Sequence, residues 1–164
     1  MPNQKNVRKW SELRGLKVAI LSQGKNAGIV EDFYFQLGTN SIYALGVRTP
    51  LAGIKALPAN AIKDIVADAV IIDSERMLTT RIPPFPLGSS LLNATVKGEN
   101  EKDAGTITEI LIGTVPVNAL RVVGYEVTDN ASRRSNRHKV LGADAVLHYD
   151  ESLMVVDNQT VAKL

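Results

Sequence analysis

Gly28-Ile-Val-Glu-Asp-Phe-Tyr-Phe35 and Gly105-Thr-Ile-Thr-Glu-Ile-Leu-Ile112 are the two stretches on which the reading of this chain turns. Each opens on a glycine and continues through β-branched, aliphatic and aromatic residues, the composition of a half-buried strand. They answer to each other at an offset of 77 residues. Gly24 answers to Gly98 at 74, and Ile42-Tyr-Ala-Leu-Gly-Val47 to Val122-Val-Gly-Tyr-Glu-Val127 at 80. At 84, Leu57-Pro-Ala-Asn-Ala-Ile62 answers to Leu141-Gly-Ala-Asp-Ala-Val146, and Ala69-Val-Ile-Ile72 to Leu153-Met-Val-Val156. The offset grows only across 99–104, 114–118 and 128–137, where extra residues fall in loops and are tolerated. An internal repeat is the expectation.

The rest of the chain is punctuated in the same way. Strands are predicted over 17–22, 28–35, 41–47, 62–66 and 69–73, and again over 94–97, 105–112, 119–128, 145–149 and 153–157. No window of helical length carries sustained i, i+3, i+4 apolar spacing. Brief helical turns are predicted around 58–62 and 142–146. Within 28–35, alternation puts Ile29, Glu31, Phe33 and Phe35 on one face and Val30, Asp32 and Tyr34 on the other, with Phe33 and Phe35 in the main apolar cluster. Arg81-Ile-Pro-Pro-Phe-Pro-Leu87 reads as an extended, semi-rigid spacer. The expected organisation is all-β: a flexible basic tail over 1–9, a small barrel over 10–78, a proline-rich linker over 79–87 and a second small barrel over 88–160, with short helical turns. Barrels of this size bury a modest share of their surface and should lean on each other or on a partner.

Trp10-Ser-Glu-Leu-Arg-Gly-Leu-Lys-Val18, Gly24, Gly28-Ile-Val-Glu-Asp32, the extended 42–47 run and Leu57-Pro58 followed by Ile62 together resemble the PRC-barrel family. That family includes the photosynthetic reaction centre H subunit and the C-terminal domain of the ribosome-maturation factor RimM. The resemblance implies a small, sharply bent barrel of about six strands whose glycines serve the bends. It extends more weakly over 87–157, where Glu109 stands in place of Asp32. It also implies assembly roles in photosynthetic or ribosomal complexes, with no counterpart here of RimM's separate N-terminal domain.

Composition sets bounds. There is no cysteine, so disulfides and thiolate metal sites are excluded, and a reducing, cytoplasmic setting is expected. Residues 1–9 carry no apolar stretch of the secretory type, and no run is long enough to span a bilayer. The chain is expected to be soluble and at most peripheral to a membrane. Net charge is +2, with residues 1–81 at 11 − 7 = +4 and residues 82–164 at 8 − 10 = −2. A surface dedicated to nucleic acid would normally be more basic.

No catalytic constellation can be assembled. His138 and His148 are the only histidines, and no activated serine context accompanies them. Glu31 and Asp32 are adjacent in a strand and face opposite ways. The loop Gly98-Glu-Asn-Glu-Lys-Asp-Ala-Gly105 lacks the spacing of a calcium loop, and Gly24 and Gly28 lack the lysine and helix of a phosphate-binding loop. No catalytic, cofactor or metal site is expected. The candidate partner-binding site is the basic cluster Arg133, Arg134, Arg137, His138 and Lys139, whose guanidinium forks suit phosphates or an acidic protein patch. No aromatic interleaves the arginines, which argues against base stacking.

Three functions compete. The first is a non-enzymatic adaptor that binds a protein partner through barrel edges and loops. The second is RNA or ribosome association through residues 133–139. The third is a small enzyme or a small-ligand-binding barrel. The partner and the oligomeric state are not readable from the sequence.

Overall fold

The computed structural model describes residues 6–36, 38–100, 102–128, 138–150 and 152–163. In chain order the elements are β1 (Val7–Lys9), α1 (Trp10–Leu13), β2 (Lys17–Ile20), β3 (Lys25–Gln36), β4 (Ser41–Thr49), β5 (Gly53–Pro58), β6 (Asp64–Ile65), β7 (Ala69–Ile71), β8 (Thr95–Gly98), β9 (Asp103–Gly113), β10 (Arg121–Thr128), β11 (His138–Gly142), β12 (Val146–Asp150), β13 (Leu153–Val156) and α2 (Asn158–Lys163). The chain is all-β, with single helical turns at Ala59–Ala61 and Ala143–Ala145 where small residues replace the β-branched runs. Helix α1 escaped sequence reading because four residues show no period. Helix α2 is set by Asp157, whose carboxylate accepts from the Thr160 N–H at 2.7 Å and its hydroxyl at 2.9 Å.

The pairing of the first half recurs in the second. Strand β2 lies between β3 (antiparallel) and β7 (parallel), with Lys17 opposite Ala69; β8 lies between β9 and β13, with Thr95 opposite Leu153. Strand β4 pairs with β5 through Leu45 and Leu57, and β10 with β11 through Tyr125 and Leu141. The irregularities recur too. Between β3 and β4 the register skips Glu31, passing from Val30↔Val47 to Asp32↔Gly46; between β9 and β10 it skips Thr108, from Ile107↔Val127 to Glu109↔Glu126.

That bulge corrects the alternation expected for β3. An extra residue at Glu31 turns the chain over, so Val30 and Phe33 both point into the main core although three positions apart. Phe35 joins them, while Tyr34 lies in a separate small cluster with Ala44 and Ala56. The glycines that open β3 and β9 stand where strands cross closely. A Cβ on Gly28 would meet the Arg48 carbonyl oxygen at 2.5 Å, and one on Gly105 would overlap the Thr128 carbonyl oxygen in the same way.

The halves meet about a local two-fold relation. Ser41 of β4 pairs with Arg121 of β10; the Ile42 N–H donates to the Leu120 carbonyl at 3.0 Å, and the Val122 N–H to the Asn40 carbonyl at 2.8 Å. Ser41 faces Arg121, its own match at an offset of 80, and the two flanking bonds are reciprocal, the pattern of an isologous contact. One apolar cluster runs from Trp10 through Phe33 and Ile110 to Val161 across both halves, so the halves share a core.

Two segments expected to be loosely attached are docked. Val7–Lys9, placed in a flexible tail, forms β1 and pairs with Leu111–Gly113 of β9. The segment 79–87, expected as a spacer, is laid across the first half: Thr79 bridges Ala56, Leu87 bridges Tyr34, and Phe85 packs on the Tyr34 cluster and against Tyr43 at a 5.1 Å ring separation. The reason is common to both. The outer edges of β3 and β9 carry backbone groups that need partners, and an extended segment supplies them.

Candidate interaction surface

Two equivalent hairpins project from this frame. In the first, β4 and β5 close at Thr49↔Gly53 over the tip Pro50-Leu51-Ala52. The Thr49 hydroxyl donates to the Gly53 carbonyl at 2.7 Å and accepts from the Ala52 N–H at 3.1 Å, which holds the turn. Leu51 is 100% exposed at its apex. Ile29 and Ile54 are exposed as well, and an open cleft of about 680 Å³ between the tip and β3 is lined by Gly28, Ile29, Arg48, Pro50 and Leu51. Arg48 is held by the Glu31 carboxylate, so the rim of that cleft is charge-paired.

The second hairpin, β10 with β11, closes its stem through Val127↔Lys139 and Thr128↔His138. Arg133, Arg134 and Arg137 lie outside the described residues, as does the His138 side chain. Of the basic cluster, the His138 backbone and Lys139 are described, at the start of β11 opposite Thr128 and Val127 of β10. Lys139 is half-buried on the stem.

The other sequence candidates have structural partners. Glu31 binds Arg48, with Nε at 3.2 Å, and Asp32 accepts from Ser89 and from the Phe33 N–H at 2.8 Å, so the two carboxylates act apart. Asp103 accepts from the Gly105 N–H at 2.9 Å, as Asn26 does from the Gly28 N–H at 3.0 Å, so both are turn-forming groups. Among the described residues no group of three potential metal ligands converges. His148 is exposed on β12, beside Asp144, Tyr149 and Asn40 at a shallow cleft. Burial raises the Tyr125 hydroxyl well above its ordinary range, with the neighbouring Tyr149 adding to it; burial and then the Asp32 charge raise Tyr34. Both phenols therefore keep their protons at physiological pH.

Leu51 was missed in the sequence. The signal was there in Thr49-Pro-Leu-Ala-Gly53, an apolar residue at a turn apex, but it is readable only once 53–58 is seen as a strand.

A family model of the PRC-barrel domain matches residues 5–77. Residues 5–77 are a PRC-barrel domain. The match runs from the segment that forms β1 to the helical turn Glu75–Met77. No curated protein matches the chain in sequence. A PRC-barrel domain points in general to interaction rather than catalysis. Among the described residues no helix is long and apolar enough to cross a membrane.

Proposed function

We propose that this PRC-barrel protein is a non-enzymatic adaptor that captures a protein partner with its hairpin tips, and that residues 88–160 are a second copy of the same barrel. The observation that carries the reading is Leu51. A leucine held wholly in water at the apex of a hydrogen-bonded turn gains nothing for the fold, and an apolar apex beside exposed Ile29 and Ile54 forms an apolar patch of the kind that marks an interaction site. The basic run Arg133, Arg134, Arg137, His138 and Lys139 is proposed as the matching contact of the second hairpin, set toward acidic groups on the partner. Apolar area at Leu51 and charge from the basic run give one partner two chemistries to bind.

The test is affinity purification of the full chain from its native cell extract, with captured proteins identified by mass spectrometry and the direct contact then rebuilt from purified components. Leu51→Asp is expected to reduce binding of the rebuilt partner about tenfold or more, and Arg133→Glu/Arg134→Glu/Arg137→Glu to slow its capture at low salt. If both variants bind the purified partner as the parent does, the tips are not the site. An RNA partner would show itself through a steep loss of binding between low and moderate salt, and that result would replace the protein reading with the ribosomal one.

A further inference from the structure

We infer that the outer edge of β11 at Val140 is a strand-addition site for an extended, weakly charged peptide segment of the protein partner. The inference rests on the adaptor reading and names a surface distinct from the hairpin tips. Its template lies within the chain itself. In the first half, Ala56 of β5 stands opposite Gly46 and turns its backbone outward: its N–H donates to the Thr79 carbonyl at 2.8 Å, and its carbonyl accepts the Thr79 N–H at 2.8 Å. One residue of an extended segment thus closes that edge.

Val140 holds the same place in the second half, opposite Glu126 of β10. Among the described residues none bonds to it from outside the β10–β11 ladder, and its side chain is 61% exposed. Val7, which stands where Phe85 covers the first half, is exposed as well. An apolar residue beside an open strand edge is a template for pairing with another chain.

The surroundings select the chemistry of the guest. Lys9 meets Glu126 at 3.3 Å, so the carboxylate opposite Val140 is already charge-paired. The first-half guest has the matching character: Met77-Leu-Thr-Thr-Arg-Ile-Pro83 carries one charge, at Arg81, and bridges Ala56 through Thr79. The groups recognised are therefore the backbone of one bridging residue and apolar or β-branched side chains on either side of it.

The probe is a fluorescent peptide with the sequence of residues 77–83, titrated into the full chain. The intramolecular copy holds the Ala56 edge at high effective concentration, so the added peptide is left with β11. Saturable binding is expected, insensitive to salt between low and moderate ionic strength, with exchange of the Val140 amide slowed about tenfold. Val140→Pro removes the outward N–H and is expected to abolish binding; Val140→Lys keeps the N–H, folds as a charged edge and is expected to weaken binding about tenfold. A Val140 amide already protected in the free chain would overturn the inference, as would equal peptide binding by Val140→Lys or no binding at all. If the rebuilt partner is lost on Leu51→Asp but kept on Val140→Lys, the edge site falls while the adaptor reading stands.

Discussion

The Asp32 carboxylate accepts two hydrogen bonds from Ser89, from its N–H at 3.0 Å and its hydroxyl at 2.5 Å. Fifty-seven residues separate them, and the bond ties a strand of the first half to the turn that opens the second. Its counterpart runs the other way: the Glu109 carboxylate accepts from the Ser11 N–H at 3.1 Å. Each half thus places its opening turn on the other's long strand, and the halves are interlocked rather than merely adjacent.

Removing the Asp32 acceptor should therefore loosen the junction. Asp32→Ala leaves the Ser89 and Phe33 N–H groups to find water and is expected to cost about 1–3 kcal/mol in urea unfolding. Ser89→Ala should cost less, and the double variant should cost less than the sum, with a coupling of about 0.5 kcal/mol or more. Strict additivity would mean that the bond carries no stability.

Gly28 and Gly105 predict a contrast with Gly142. At the first two, a Cβ would overlap a backbone carbonyl on the neighbouring strand, and φ at Gly105 is +126°. Alanine at either is expected to cost about 2 kcal/mol or more. Gly142 has φ −67°, and no atom lies within 4 Å of the place its Cβ would occupy, so Gly142→Ala should change stability by no more than about 0.5 kcal/mol. Thermal midpoints of the three variants check this directly.

Gly88 marks a difference between the two halves. It stands where the first half has Trp10, and a Cβ there would run into the Phe33 ring. That ring packs edge-on to Trp10 at 4.8 Å, so the space a large residue would need is already filled. Gly88→Ala should destabilise by about 1–3 kcal/mol, and Phe33→Leu should recover part of that loss when combined with it. A double variant with additive losses would contradict the contact.

Tyr125 gives the alkaline limb. Its hydroxyl titrates higher in the folded chain than in the unfolded one, where it titrates near 10. The unfolded state then sheds its proton first, so stability is full below about pH 10 and declines as pH rises beyond it. Tyr125→Phe should flatten that decline in denaturant midpoints measured on either side of pH 10. An unchanged alkaline slope would place the cause elsewhere.

The legible part of the fold was the strand content. Runs such as Gly28-Ile-Val-Glu-Asp-Phe-Tyr-Phe35 carry their own propensity, and the turns at 59–61 and 143–145 announce themselves by small residues. The Glu31 bulge was not legible, because an extra residue is visible only against the partner strand, and it reversed the face of Val30 relative to Phe33. Strands β5 and β11 were missed for a similar reason: Gly53-Ile-Lys-Ala-Leu-Pro58 has little alternation and is held by its neighbour β4. The docking of Val7 and Phe85 depends on contacts more than 25 residues away in sequence, and no local pattern encodes it. At the candidate surface, the basic run was plain in the sequence, whereas the apolar apex at Leu51 needed the hairpin to be seen first.

The interlocking of the halves is tested most directly by following equilibrium urea unfolding with two probes at once. Trp10 is the single tryptophan and sits in the shared core against Phe33, while far-ultraviolet circular dichroism reports the strands of both halves. The interlocked fold requires one transition with coincident midpoints for fluorescence and dichroism. Two separated transitions, with half of the strand signal surviving after the tryptophan signal has gone, would show two independent barrels and contradict it.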